Sequence, residues 1–138
     1  MDSTPVLDTD VLIDYLRGSG PGVDLVARLG RRGYSITAIT TFELALGTAH
    51  RRNPAPVLTL LDAPTLALSP RAGLRSGETL SRLRQEGKGI DIRDALQAGI
   101  CMDAKRPLIT RNLRHFTRVP GLTVFLPDDW PSGPVAAS

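Results

Sequence analysis

The sequence predicts one α/β domain in which helices cover both faces of a parallel β-sheet. Its 138 residues suit one domain rather than two. A chain of this length can bury roughly two-thirds of the surface that it exposes when unfolded. Short apolar runs alternate along the chain with segments of helical periodicity. Parallel strands need crossover connections, and the predicted helices are long enough to supply them.

The first half of the chain alternates strands and helices as far as residue 68. Val6-Leu7 is a brief apolar run that ends at Asp8, and apolar residues then recur at helical spacing. Residues 34–39 are rich in β-branched and aromatic side chains, which are typical of a strand. The predicted elements are a strand at 6–7, helices at 10–17 and 23–29, a strand at 34–39, a helix at 40–50, a helical turn at 57–61 and a strand at 65–68.

The second half of the chain contains two long helical patterns followed by two short apolar runs. Helices are predicted at 73–86 and 91–105, with a glycine-rich loop at 87–89 between them. Strands are predicted at 108–110 and 122–126, so that the domain spans residues 1–126. Residues 127–138 consist mainly of Pro, Ser, Gly and Ala, and this composition predicts a flexible C-terminal tail.

The composition excludes several classes of protein. An apolar fraction of 41% is too high for a disordered chain, and the single Cys101 excludes a disulfide scaffold. No apolar run approaches the roughly 20 residues of a membrane span. Asp2 and Asp8 fall where a signal peptide would be apolar, so we expect a cytoplasmic protein. Fifteen of the 17 basic residues are Arg, which suits a nucleic-acid partner but also follows from GC-rich codon usage.

Three acidic residues follow predicted strands or begin a predicted helix, where the carboxyl edge of a parallel sheet holds its site. Asp8 follows the first strand, although it could instead cap the next helix. Glu43 follows the second strand, although with Thr40 it also fits a capping box. Asp94 stands in the first turn of a helix, where the helix dipole alone favours an acid.

Polar residues also follow the strand at 108–110. Thr110, Asn112 and His115 are placed to line the same edge of the sheet, although a lone His is more often a surface residue than a ligand. The chain shows no zinc-ligand spacing, no phosphate-binding glycine loop and no nucleophilic serine motif.

A cluster of carboxylates at this edge requires a cation. Two carboxylates about 4 Å apart repel each other by roughly 4 kcal/mol at an effective dielectric constant near 20. A site made only of oxygen ligands favours Mg²⁺ or Mn²⁺. Such an ion suits phosphodiester hydrolysis, and Arg93, Arg111 and Arg114 are close enough in sequence to contact a nucleic-acid backbone.

Taken together, the motifs resemble those of the PIN-domain nucleases, and within them the VapC toxins of bacterial type II toxin–antitoxin pairs. The resemblance runs from about Val6 to Leu126, and its segments occur in the expected order. These segments are Leu7-Asp8-Thr9-Asp10-Val11-Leu12-Ile13, Ile39-Thr40-Thr41-Phe42-Glu43-Leu44-Ala45-Leu46-Gly47, Asp94-Ala95-Leu96-Gln97-Ala98, Leu108-Ile109-Thr110-Arg111-Asn112-Leu113-Arg114-His115-Phe116 and Val119-Pro120-Gly121-Leu122.

The resemblance implies a PIN-like domain with a five-stranded parallel sheet, and a single-strand endoribonuclease that uses Mg²⁺ or Mn²⁺. By this resemblance Asp8, Glu43 and Asp94 are the catalytic metal ligands, and a water held beside the ion attacks the RNA. The resemblance further implies a homodimer and a VapB-like antitoxin that covers the acidic cleft.

The chain departs from the family pattern at the fourth acidic position. Asn112 and His115 stand where many relatives have an Asp, so Asn112 is a candidate ligand without charge and one bound ion is favoured over two. The resemblance gives Asp10 and Thr110 supporting roles behind the ligands. It makes Arg111 and His115 candidate RNA contacts. The family's Ile-Ala-Ala run is replaced here by Gln97-Ala98-Gly99.

Two other functions remain open at this point. One is a housekeeping RNA-processing nuclease of the same fold. The other is a binding module that holds RNA or an antitoxin without cutting efficiently, since the fourth acid is missing.

Overall fold

The structure is a computed structural model that describes residues 4–131. Its five strands are β1 (Val6–Leu7), β2 (Ile36–Thr37), β3 (Thr65–Leu66), β4 (Leu108–Ile109) and β5 (Val124–Phe125). Its helices are α1 (Thr9–Arg17), α2 (Gly22–Leu29), α3 (Ala38–Leu46), α4 (Thr48–Arg52), α5 (Pro54–Leu61), α6 (Pro70–Gln85), α7 (Ile92–Ala104) and α8 (Leu113–Phe116). The predicted α/β class is therefore confirmed.

All strand pairs are parallel, and the sheet is built from two parts. One part has the order β1-β4-β5 and the other pairs β2 with β3. A parallel bridge between Val6 and Ser35 joins them, with Leu7 N 3.0 Å from Ser35 O and Ser35 N 2.8 Å from Pro5 O. The strand order across the sheet is thus β3-β2-β1-β4-β5. Strands β2 and β3 lie on one side of β1, and β4 and β5 lie on the other, so the strand order reverses between β1 and β4. Ligands bind at such a switch point, beyond the carboxyl ends of the strands.

Helices bury both faces of the sheet, as the sequence predicts. Successive strand residues point to opposite faces, so β1, β4 and β5 each contribute one side chain to each of two apolar cores. These side chains are Val6, Leu108 and Val124 on the side of α6 and α7, and Leu7, Ile109 and Phe125 on the side of α1, α2 and α5.

The predicted strand at 34–39 is shorter than expected. The strand is limited to Ile36–Thr37, with Ser35 bridged to Val6, because Ala38 already begins α3. The predicted helix at 40–50 is also two helices, α3 and α4, which are separated at Gly47. The early start of α3 brings its first turns to the edge of the sheet beside β1.

The last described residues pack on the domain. Pro127–Asp129 forms a 3₁₀ turn, and the ring of Trp130 meets that of Phe125 edge-on, with 4.9 Å between the ring centroids. The predicted flexible tail at 127–138 lies outside the described residues from 132 onward. Within residues 4–131, no helix is long and apolar enough to cross a membrane.

Candidate active site at the carboxyl edge of the sheet

Asp8 lies at the end of β1 and accepts hydrogen bonds on both carboxylate oxygens. Thr9 N and Gln97 Nε2 donate to Oδ1 at 2.9 and 3.1 Å, and Thr110 Oγ1 donates to Oδ2 at 2.7 Å. Burial and, to a smaller extent, the charge of the neighbouring Asp10 raise the pKa of Asp8 to about 7, although the hydrogen bonds from Thr110 and Thr9 oppose the shift. Asp8 also caps α1, so the capping interpretation of this residue is confirmed, and its position at the carboxyl edge is compatible with the predicted functional role.

Asp10 lies beside Asp8 with half of its carboxylate unsatisfied. The backbone N–H of Arg111 donates to Oδ2 at 3.1 Å, whereas the buried Oδ1 has no hydrogen-bond partner among the described residues. Burial raises the pKa of Asp10 to about 6, against the opposing effect of Arg111. Burial of the two adjacent acids therefore outweighs the positive charge of Arg111, and this cleft favours a further cation.

Glu43 reaches the same cleft from the second turn of α3. Its Oε1 accepts a 2.6 Å hydrogen bond from Thr9 Oγ1, and its Oε2 is 3.5 Å from the guanidinium of Arg93. The predicted capping box of Thr40 and Glu43 is wrong, because Thr37 caps α3 and its hydroxyl accepts from Thr40 N at 3.3 Å. Thr40 is instead buried one turn inside the helix, which leaves Glu43 free to face the cleft.

Asp94 lies in the first turn of α7, which Asp91 caps. Its Oδ2 is 3.1 Å from His115 Nδ1, and that nitrogen is also 3.0 Å from the side-chain amide of Asn112. A protonated Nδ1 donates to Asp94 and leaves the amide of Asn112 to turn its oxygen toward the ring.

The four acids thus share one cleft but remain apart. Asp94 is close enough to Asp8 to raise its pKa by charge repulsion. However, across residues 4–131 no three His, Cys, Asp or Glu side chains are close enough to hold one ion as they stand. Hydroxyl and amide groups fill the space between the carboxylates.

The predicted RNA-contacting residues differ in their exposure. His115 is 40% exposed, and its ring contacts Asp94. Arg111 is held within the protein, because its guanidinium donates at 2.6 Å to the buried Asp14. Arg93 lies at the rim of the cleft, between Glu43 and Asp91.

Sequence comparison places this arrangement in a known family. The sequence profile of the PIN domain matches residues 6–122, most of the chain. The chain belongs to the PIN-domain family. Ribonuclease VapC19 of Mycobacterium tuberculosis is 32% identical to this PIN domain over 120 residues, which cover 85% of the chain and 95% of that protein. The tRNA(fMet)-specific endonuclease VapC of Salmonella typhimurium is 24% identical over 130 residues, 91% of the chain and 96% of that protein.

Solved structures share the fold of this PIN domain. The toxin in DNA-bound VapBC of Salmonella typhimurium superposes with a TM-score of 0.79 at 23% identity, covering 91% of this chain and 99% of that one. A toxin–antitoxin complex from Klebsiella pneumoniae superposes with a TM-score of 0.68 at 25% identity, covering 89% and 97%. The expected resemblance to VapC proteins is confirmed.

The cleft of this PIN domain also contains polar residues to which the sequence assigned no role in the site. Gln97, Thr37 and Thr40 form a buried polar group behind Asp8 and Glu43. A signal was present, since Gln97 is a polar residue one turn after Asp94 within an apolar and small-residue stretch of α7.

Asp14 is a second residue that the sequence analysis missed. It is 1% exposed, and it anchors the loop after β4 through Arg111. Its Oδ2 also accepts from Gly22 N at 2.9 Å. Gly20 has a φ of 111°, and a Cβ there would lie 2.5 Å from the Asp14 carboxylate, so the glycine-rich loop permits this close approach.

We expect the metal-free PIN domain to lose stability as the pH rises from about 4 to about 7. The pKa of Asp8 is raised to about 7 in the folded state, so in this window the folded chain keeps a proton that the unfolded chain releases. Stability contributed by that proton is complete below the unfolded pKa and is lost by the time the pH passes the folded one. Asp10, with a pKa of about 6, adds to the slope.

Thermal unfolding in EDTA at several pH values measures this slope. Asp8→Asn should flatten it, whereas Asp24→Asn, at an exposed position of α2, should leave it unchanged. An equal slope in Asp8→Asn and the unmutated protein would contradict the assignment of this proton to Asp8.

Proposed function

We propose that this PIN domain is a divalent-metal-dependent endoribonuclease that acts as a toxin and is neutralised by a cognate antitoxin. The observation that carries the proposal is the cleft at the switch point of the sheet. There Asp8 and Asp10 are adjacent and half-buried with raised pKa values, and Glu43 and Asp94 lie in the same cleft. The relatives named as VapC ribonucleases support a nuclease of this type.

The residues present fit a hard divalent cation. Asp8, Asp10, Glu43 and Asp94 supply only oxygen ligands, and the buried Oδ1 of Asp10 lacks a hydrogen-bond partner within the described chain. Asp8, Glu43 and Asp94 would hold the ion, with Asn112 as a neutral fourth ligand. Glu43 and Asp94 are 23% and 24% exposed, so their side chains have room to adjust, whereas Asp8 is fixed by three donors.

A bound Mg²⁺ or Mn²⁺ supplies Lewis-acid polarisation of a phosphate oxygen and lowers the pKa of a water molecule. The chain's own groups determine where these effects act. Thr110 and Gln97 hold the Asp8 carboxylate in one plane, and Thr9 holds Glu43. The contact of His115 Nδ1 with Oδ2 restrains the Asp94 carboxylate at 3.1 Å from the ring. An RNA substrate would approach these carboxylates at the carboxyl edge of the sheet.

Arginine side chains at the rim of the cleft are placed to bind the phosphates of an RNA strand. Arg93 is 54% exposed and 3.5 Å from Glu43, which places its guanidinium beside the path of an entering phosphate. Arg114 is exposed on α8, next to His115. Phosphate contacts of this kind fix the position of a strand without reading its sequence.

The proposed partners are a VapB-like antitoxin and a second copy of the chain. Structures described as VapBC and toxin–antitoxin complexes share this fold over nearly the whole chain, which supports an antitoxin partner. An antitoxin that covers the acidic cleft would compete directly with RNA.

One observation favours a binding module as the second candidate function. Asn112 and His115 stand where many relatives have an Asp, and His115 contacts Asp94, so the cleft lacks the carboxylate that those relatives have there. In that case the protein would bind RNA or an antitoxin with little cleavage.

Induction in cells distinguishes these functions. We expect growth arrest, new RNA 5′ ends at defined positions, and recovery when the cognate antitoxin is co-expressed. Cleavage at defined sites without growth arrest would favour a housekeeping nuclease. The absence of new 5′ ends at a confirmed protein level would contradict the nuclease proposal.

A further inference from the structure

Gln97 is buried behind Asp8, and its amide contacts three other polar side chains. The residue is 2% exposed. Its Nε2 lies 3.1 Å from Asp8 Oδ1 and 3.1 Å from Thr40 Oγ1, and its Oε1 accepts from the hydroxyl of Thr37. Both amide hydrogens and the amide oxygen therefore have partners. A buried side chain with all of these bonds made has little freedom to rotate.

The hydroxyl groups extend this network to Glu43, and proton counting fixes the direction of each bond. A threonine hydroxyl donates once. Thr9 donates to Glu43 Oε1 at 2.6 Å, so in the 2.9 Å contact with Thr9 the donor is Thr40. The oxygen of Thr40 then accepts from Gln97. The bonds thus run from Gln97 through Thr40 and Thr9 to Glu43, with a branch from Gln97 to Asp8.

The charge of Asp8 also fixes the orientation of the Gln97 amide. If the amide were rotated by 180°, its oxygen would face the Asp8 carboxylate, and two acceptors would oppose each other. The observed orientation directs both N–H groups toward the acidic side of the cleft. The Gln97 amide therefore sets the distance between Asp8, at the end of β1, and α3, which carries Glu43.

We propose that Gln97 is a positioning residue that holds Asp8 and Glu43 in the relative arrangement needed to bind the divalent cation. This inference rests on the proposed function. Gln97 contacts neither ion nor RNA, and it acts through carboxylates whose geometry it restrains. Groups that orient metal ligands commonly change metal affinity or activity by roughly 10- to 100-fold when they are removed.

Gln97→Met tests the proposal, because Met keeps the length and most of the volume of the side chain but cannot donate. We expect Mn²⁺ affinity, measured by calorimetry on the metal-free protein, to fall roughly tenfold. We expect kcat for RNA cleavage to fall by roughly 10- to 100-fold while KM changes little, since RNA contacts remain.

Ser76→Ala is the matched control. Ser76 is buried on α6, which packs against α7, and its hydroxyl donates at 2.8 Å to the backbone of its own helix. This variant should lose some thermal stability while keeping the Mn²⁺ affinity and kcat of the unmutated protein.

Thr40→Val provides a second variant that keeps its shape and breaks the link to Thr9. It should lower Mn²⁺ affinity and kcat in the same direction as Gln97→Met. The double variant should lose about as much kcat as Gln97→Met alone, because both changes act on one network.

A Gln97→Met protein with unchanged Mn²⁺ affinity and kcat would overturn the proposal, even if its melting temperature fell as in Ser76→Ala. Should Gln97→Met fail to fold, normal Mn²⁺ affinity and kcat in Thr40→Val would overturn it. Failure of the proposed function looks different, since the unmutated protein would then neither bind Mn²⁺ nor cleave RNA, and this inference would fall with it.

Discussion

Asp8→Asn is expected to lower RNA cleavage by roughly a thousandfold or more while the protein stays folded. The substitution removes the one carboxylate that lies between Asp10, Gln97 and Thr110 and so is central to the acidic cleft. An Asn fits the same space, because its oxygen accepts from Thr9 N and Gln97. Its amide nitrogen donates to the hydroxyl of Thr110, which turns toward Asp10 Oδ2, 3.4 Å away.

Stability should move in the opposite direction to activity. Burial and the neighbouring Asp10 raise the pKa of Asp8, so its charge opposes folding at neutral pH in the absence of metal. The melting temperature of Asp8→Asn in EDTA at pH 8 should therefore equal or exceed that of the unmutated protein. Asp24→Asn serves as the matched control and should leave cleavage unchanged. Undiminished cleavage by purified Asp8→Asn would contradict the assignment of the site.

Removal of divalent metal is the second change expected to have a large effect. In EDTA, cleavage of single-stranded RNA should fall to background, and an excess of Mg²⁺ or Mn²⁺ should restore it. The physical reason is that the carboxylates at this edge repel an RNA phosphate unless a cation lies between them.

Sodium chloride at matched ionic strength is the control for this experiment, since added divalent salt also screens charges. It should not restore cleavage. Full activity in EDTA would point instead to a metal-free ribonuclease, in which His115 and Asp94 are the available proton-transfer groups.

The sequence predicted the parts of the fold that follow from local pattern. Val6-Leu7 and Asp8 are an example. An acid that directly follows a short apolar strand lies at the carboxyl edge of a parallel sheet, and this depends on local sequence alone. The helix that Asp91 caps likewise begins where its first-turn acids predict. Asp8, Glu43 and Asp94 share one cleft because their positions depend on these local rules.

What the sequence could not predict depends on contacts between distant segments. Residues 34–39 look like one strand, but the Thr37 hydroxyl caps a helix inside that run. Gln97 is separated from Asp8 by 89 positions, so their hydrogen bond has no local signature. Arg111 was expected to face RNA, yet Asp14 holds it, 97 positions away.

The acids of the cleft are held in place by a network of hydroxyl and amide groups. Three threonines and one glutamine fill the space that a simple list of carboxylates leaves empty, and they hold Asp8 and Glu43 by directed bonds. Such groups restrain the acids while the site is without a cation, which limits the reorganisation needed on binding.

The most direct test of the account is anomalous diffraction from crystals of the protein soaked in Mn²⁺. We expect one ordered Mn²⁺ in contact with carboxylate oxygens of Asp8 and Asp94, with Glu43 facing the same ion. A Mn²⁺ bound elsewhere, or none at concentrations that support cleavage, would contradict the claim that these acids share one ion.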